Sequence, residues 1–592
     1  MRERVPIILS ILVFASLSIL CAVTSEGFLE ADGCTHYMYA RWAFEYPVYF
    51  VDIWGRPFKT ALYAPAAATV GLIGVRLTSL AVAITIAFIA YFIARGQKYR
   101  WPALAVIFTF AQPVLFLHSF SELTELPFAM LLGAAFLAYQ RRRWWALTVL
   151  AGLLPLSRPE GFGFVALAAV LLACHRKWLW ILILAVPVMG WQIAGSILYR
   201  EPGDWWRWLA KHWPYAGDSL YAAGPIWHFV ALLPAVVGPA IVPFVIVGML
   251  RQVHHEETKP EGDSSFLRSF VVNHLARCDV LIAVIPLMIL VGHSVLYWLG
   301  KMASNGEVRY MLIVAPFWAL LACRGWGWAW ERMFSRAAAA DSSLGRQPQE
   351  SVRPGASRAG ANEGDSADLP LASVAPSGLA RDAAASPGAD APGHSLPPLR
   401  GSPTPAAGGE SWQRSGESPS PLRGWRSPYL WAGVLAILPI LANRAYKVLP
   451  LVQTEDWQTA ARIAEWYKTS GVSRDYPYLL AAHPGVAYAL DWSLLDPRLR
   501  EFNRENVAAC PDGTVLVWDA IYGEHNADRR KSVRMNDVAA PWVPVHSTRD
   551  RLATQARRRD SANTVVVAPA WQIALSGRTA SGAATDGEAD AR

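Results

Sequence analysis

Residues 141–177 read RRRWWALTVLAGLLPLSRPEGFGFVALAAVLLACHRK. Two basic clusters, Arg141-Arg142-Arg143 and His175-Arg176-Lys177, bracket an apolar stretch interrupted only by Ser157-Arg158-Pro159-Glu160-Gly161. As one long helix, the stretch would bury Arg158 and Glu160 at mid-bilayer, at a cost of about 2.5–3.5 kcal/mol per charge. As a hairpin of two short helices, it turns at 157–161 and returns both basic clusters to one side. The bias of Lys and Arg toward cytoplasmic loops favours the hairpin, and Pro155 and Pro159 favour a break there.

Outward from this hairpin, the same alternation of apolar runs and basic loops extends through most of the chain. The runs are 6–23, 77–94, 102–117, 126–139, 144–156, 162–174, 178–198, 227–250, 280–299, 310–323 and 429–441. They predict an all-α polytopic membrane protein with about 11 transmembrane helices. The segment 60–75 is apolar but rich in Ala, Gly and Pro, and reads as an interfacial or buried helix. The first run follows Arg2 and Arg4 and reads as an anchor, because it is long for a signal peptide and shows no clear cleavage site.

Composition agrees. The 592 residues are 53% hydrophobic and only 17% charged, against about 25% charge in soluble domains, and the mean hydropathy is +0.23. The 27 Trp and 20 Tyr suit membrane interfaces. The net charge of +8 is spread over short loops and sets topology, so no nucleic acid partner is implied. The six cysteines form no CxxC pair and lie near no metal-spaced histidines, which argues against a zinc or haem site. Cys34 and Cys510 fall on the same side in this topology, and sequence alone does not show that they meet.

With the N-terminus inside, residues 95–101, 141–143, 175–177, 251–277 and 324–428 are cytoplasmic. The loops 24–76, 118–125, 157–161, 199–226 and 300–309 lie outside, with everything after Ala442. The expected domains are a multi-span core at 1–334, a disordered cytoplasmic linker at 335–427, the last transmembrane helix at 428–447, an extracytoplasmic domain at 448–577 and a disordered tail at 578–592. The linker is dominated by Ala, Ser, Gly and Pro and lacks the apolar surface to offset its ordering entropy. The extracytoplasmic domain reads as small and α/β: an amphipathic helix at 456–469, and strands at 478–482, 514–518 and 563–567.

Four of the outside loops carry charge close to the membrane. They hold Glu30, Asp32 and His36; Glu122 and Glu125; Arg158 and Glu160; and Lys301, Glu307 and Arg309. Juxtamembrane charges are often only solvated caps. Four such loops on one side, however, point to a site: carboxylates there accept protons or hold a divalent cation, and cations there hold a lipid phosphate. A transporter would place ionisable residues inside its spans near the midplane, and almost none occur there. A non-catalytic anchor presenting the C-terminal domain needs one helix, leaving the others unexplained.

The loop pattern resembles the GT-C glycosyltransferases that use polyprenyl-phosphate sugars, the broad group of protein O-mannosyltransferases and aminoarabinose transferases. The resemblance rests on the first-loop acids Glu30 and Asp32, the loop Ser121-Glu122-Leu123-Thr124-Glu125-Leu126-Pro127, the turn Arg158-Pro159-Glu160-Gly161, and Gly306-Glu307-Val308-Arg309-Tyr310. It covers about residues 1–325 and departs from the family in one respect: Ala31 separates the two acids. It implies a multi-pass protein of the cell membrane whose partners are the lipid bilayer, a polyprenyl-phosphate sugar donor and an acceptor that is a glycan, lipid or protein. It further implies Asp32 as catalytic base with Glu30 second, and Arg309, Lys301 and Arg158 as phosphate ligands. Glu122, Glu125, His36 and Glu160 would position the acceptor or the loop. A divalent cation at the acids stays open.

Overall fold

The structure, a computed structural model, describes residues 3–215, 223–253, 277–302, 304–344, 427–434, 449–509, 513–518, 542–549 and 570–576. The chain begins with the apolar helix α1 (Arg4–Thr24), followed by the shorter α2 (Ala31–Trp42) and α3 (Pro57–Val70), and then α4 (Leu72–Gly96). Next come α5 (Ala103–Phe110), α6 (Pro113–His118), α7 (Glu125–Gln140), α8 (Trp144–Ser157) and α9 (Gly161–Cys174). These are followed by α10 (Trp178–Leu184), α11 (Val186–Leu198), α12 (Trp208–Lys211), α13 (His228–Val237), α14 (Val242–Val253) and α15 (Cys278–Trp298). A 3₁₀ segment, Val308–Val314, leads into α16 (Ala315–Leu344).

By length and composition, Arg4–Thr24, Leu72–Gly96, Trp178–Leu198, Cys278–Trp298 and Val308–Met333 can each cross a bilayer. The shorter apolar helices α7, α8 and α9 pack among them. The chain is therefore a multi-pass membrane protein with an all-α core. The hairpin expected at 144–174 is present as α8 and α9. A Cβ at Gly161 would fall 2.2 Å from the Leu154 carbonyl carbon, so only glycine lets α9 start this close to α8.

Two runs that read as single spans are broken. The run at 102–117 splits into α5 and α6, because Pro113 cannot continue the hydrogen-bond ladder. The run at 227–250 is α13 and α14, bent by 115°. The bend falls at Gly238-Pro239, where Gly238 has φ +96°.

Residues 428–434 are helical. The rest of the last expected span up to residue 448, the expected strand at 563–567, the tail at 578–592, Cys510 and nearly all of the expected linker lie outside the described residues. Cys34 is a buried free thiol.

The C-terminal domain is α/β. Its sheet runs in the order β2 (Leu499–Arg500), β1 (Tyr478–Ala481), β3 (Thr514–Trp518), β5 (Ala570–Ser576), β4 (Trp542–Arg549). β1 pairs in parallel with β2 and β3, whereas β5 runs antiparallel to β3 and β4. α17 (Glu455–Thr469) lays Ala460, Ile463, Ala464 and Tyr467 against Leu479, Val515 and Val517 of the sheet. The short helices α18 (Val472–Asp475) and α19 (Pro484–Leu490) follow it.

Candidate active site

Asp32 stands in the first turn of α2, and Glu30 is the residue preceding that helix. His36 lies one turn after Asp32, so the two share a helix face. Both line a cleft of about 410 Å³. Glu125 at the start of α7, Arg158 and Glu160 in the α8–α9 turn, His293 of α15 and Arg309 of the 3₁₀ segment complete its polar walls. Phe164, Met288, Ile289 and Leu296 make an apolar wall between α9 and α15, together with Gly163 and Gly292.

The charged groups form one network. Arg309 Nη2 donates to Asp32 Oδ2 at 2.7 Å, and Arg309 Nε pairs with Glu307 and lies 3.7 Å from Glu125 Oε1. Arg158 Nη1 donates to Glu125 Oε1 at 2.6 Å and to Thr124 Oγ1 at 2.9 Å, while its Nη2 donates to Glu160 Oε1 at 2.9 Å. His293 Nε2 lies 3.3 Å from the same Glu160 oxygen, and its ring stacks on Tyr310 with centroids 5.0 Å apart. The Arg309 side chain is 8% exposed and that of Asp32 is 45% exposed, so Asp32 is the member of this pair that solvent reaches.

Environment separates the acids. Burial pushes the Glu160 carboxyl up, but Arg158 and His293 outweigh it and hold the group well below the usual carboxylate range. Glu307 is pushed up to about 7 by burial, against the pull of Arg309. His36 is held well below the ordinary histidine value by burial and by Lys59 and Arg56, so its ring is neutral. That ring stacks on Trp54 at 4.4 Å, and its buried Nδ1 has no hydrogen-bond partner among the described residues. Lys59, fully buried in α3, donates to the His36 carbonyl at 2.7 Å and is pulled down to about 7 by burial.

Asp32, His36, Glu125, Arg158, Glu160 and Arg309 therefore meet in one cleft. Glu30, Glu122 and Lys301 do not line it. Glu122 is fully buried and accepts from Arg76 Nε at 2.9 Å. Arg76 in turn donates to the carbonyls of Ala22, Ser25 and Gly27 at 3.0, 2.6 and 2.6 Å, tying down the chain that leaves α1. Among the described residues, no three His, Cys, Asp or Glu side chains converge as a metal site.

The sequence reading missed His293, Trp54, Thr124, Tyr215 and Asn305, all of which line the cleft. For His293 a signal existed: it is an ionisable residue inside an apolar span. Trp54 and Tyr215 carry no signal separable from the many interfacial aromatics.

No family model and no curated protein matches the chain. Among solved structures, ArnT from Cupriavidus metallidurans bound to undecaprenyl phosphate is similar, with a TM-score of 0.39 and 16% identity over 56% of this chain and 64% of that one. The apo state of the same ArnT gives a TM-score of 0.41 and 14% identity over 57% and 64%. The likeness thus spans slightly less than two thirds of the solved chains.

Proposed function

We propose that the protein is a membrane glycosyltransferase of GT-C type. It moves a sugar from a polyprenyl-phosphate donor to an acceptor hydroxyl on the extracytoplasmic face, the side that also carries the C-terminal domain. One observation carries this: a single cleft joins an apolar wall between α9 and α15 to two arginines and a solvent-reached carboxylate. A donor with an apolar chain, a phosphate and a sugar has the same division of chemistry. The open space at Gly163 and Gly292, where a Cβ would meet nothing within 4 Å, suits the chain.

In this reading the lipid phosphate sits against Arg309 and Arg158. Asp32 takes the proton of the acceptor hydroxyl as its oxygen attacks the anomeric carbon. The bond from that carbon to the phosphate oxygen breaks, and the arginines stabilise the anion that leaves. Glu125 and Glu160 hold Arg158 in place, and neutral His36 offers Nδ1 to a substrate hydroxyl. Glu30 is the second acid of the first loop.

The test is transfer of labelled sugar from polyprenyl-phosphate donors to glycan, lipid and peptide acceptors by the purified full-length protein in detergent. Release of polyprenyl phosphate in step with transfer is expected. If no polyprenyl-linked sugar is consumed under any acceptor, the enzyme reading fails.

A further inference from the structure

α2 is a helix with two opposed duties. Asp32 and His36 point one face at the cleft. Cys34, Tyr37 and Met38 point the opposite face at a separate apolar cluster that includes Ala487 of α19 in the C-terminal domain. At 100° per residue these two sets lie on nearly opposite sides of the helix.

The C-terminal domain supplies much of what lies behind α2. The Tyr488 ring meets Tyr37 at 5.9 Å and Phe28 at 5.2 Å, and Trp457 meets Phe28 at 5.4 Å. Ser493 Oγ and Tyr49 Oη lie 2.9 Å apart, a buried contact to the 3₁₀ turn Pro47–Phe50. The backbone is also tied: Glu26 N and Gly27 N donate to the Leu451 carbonyl at 2.9 and 3.1 Å, and Leu451 N donates to Ser25 Oγ at 2.9 Å. α2 has 12 residues and no side-chain cap. A helix this short is marginal alone and takes its position from tertiary packing.

We propose that the C-terminal domain is the positioning element of the cleft, with Tyr488 as a positioning residue that acts through α2 on Asp32. The turnover consequence rests on the sugar-transfer reading; the mechanical one does not. α3 holds one flank of α2 through Tyr63 and Ala67. Removing the Tyr488 ring frees the other flank, so Asp32 loses its fixed place in the cleft without any change to the cleft's own side chains.

The experiment uses the full-length protein with Tyr488→Ala and Tyr488→Phe. Hydrogen exchange of the amides in Ala31–Trp42 is followed first, because it needs no substrate. Tyr488→Ala is expected to speed exchange in α2 while α4 and α7 keep their protection, and Tyr488→Phe, which keeps the ring, is expected to restore it. Unchanged α2 exchange in Tyr488→Ala overturns the proposal whatever the enzyme does.

Turnover follows. Tyr488→Ala should lower kcat by about 10- to 100-fold with donor KM nearly unchanged, the cost of a misplacement on the order of 1 Å. In an Asp32→Asn background the same change should have almost no further effect, because both act on one group. Full additivity would show a general structural loss and overturn the positioning role. Loosened α2 in a wild type that transfers no sugar would sink the function reading and leave the mechanical coupling standing.

Discussion

Glu122 and Glu125 stand three residues apart in one loop, yet the structure gives them unlike work, and the difference is measurable. Glu122→Gln leaves Arg76 buried at 2% exposure without its carboxylate. Breaking a buried pair by removing one partner costs about 3–5 kcal/mol, because the other charge stays uncompensated. Here Arg76 keeps three carbonyl acceptors, at 3.0, 2.6 and 2.6 Å, which stabilise the charge and place the expected loss near the lower end, about 3 kcal/mol. Arg76→Met should cost as much or more, since those carbonyls and a buried carboxylate all lose their donor.

The pair Arg76→Met with Glu122→Leu removes both charges and should recover part of the loss, leaving only the three carbonyls unsatisfied. The assay is tryptophan-fluorescence melting in detergent, with sugar transfer per folded molecule measured alongside. Glu122→Gln should melt several degrees lower and keep near-normal transfer per folded molecule, because Glu122 does not line the cleft. A wild-type melting curve for Glu122→Gln, or a double variant that loses the full sum of the Arg76→Met and Glu122→Leu losses measured singly, would refute the clamp.

Asp32→Asn should fold normally and lose about 10²–10⁴-fold in transfer rate, the usual cost of removing a general base; unaltered transfer would move the base elsewhere. Arg309→Ala should raise the donor concentration needed for half-maximal rate, and an unchanged donor KM would remove it from the phosphate site. Gly292→Leu should insert and fold, since a Cβ there meets nothing within 4 Å, yet fill the apolar wall and raise donor KM; equal donor KM would show that the chain lies elsewhere. For Glu307, burial raises the folded carboxyl to about 7 from 4.5, so the native state binds the proton more tightly than the unfolded one. Its stabilising contribution is complete below about pH 4.5 and lost as pH rises through about 7. The melting temperature of wild type relative to Glu307→Gln should therefore fall across that window, and a constant difference from pH 4.5 to 7.5 would show that Glu307 does not titrate there.

What the sequence made legible follows from the range of the forces involved. Apolar run length and loop charge are local, so α1, α4, α7, the α8–α9 hairpin and α15 follow from them directly. The split of α5 from α6 was written in Pro113, and the bend after α13 in Gly238-Pro239, but a run of apolar residues outweighs one proline when span length is the criterion. In the C-terminal domain, β1 and β3 are short buried strands whose apolar residues announce them. β4 and β5 pair antiparallel, from Trp542 with Ser576 to Arg549 with Ala570, and the register shifts at Pro544, so β4 does not read as a clean alternating strand. Side-chain partnerships were the least legible. Nothing near Glu122 in sequence points to Arg76, and nothing near Asp32 points to Arg309, 277 residues away.

The charge balance of the cleft bears on how the donor would enter. Arg158 and Arg309 are matched by four acids, Asp32, Glu125, Glu160 and Glu307, so each of the two cations is compensated. That pairing is what makes two arginines below a tenth exposure tolerable. A phosphate that approaches either arginine competes with a carboxylate already paired there. Glu125 and Glu160 are locked by Arg158, at 1% and 15% exposure. Asp32, at 45%, has the least to lose on release into solvent. On the sugar-transfer reading, then, the donor phosphate takes the place of Asp32 at Arg309 Nη2. The carboxylate freed by that exchange sits beside the bound sugar, and on this reading it is the group that takes the acceptor's proton.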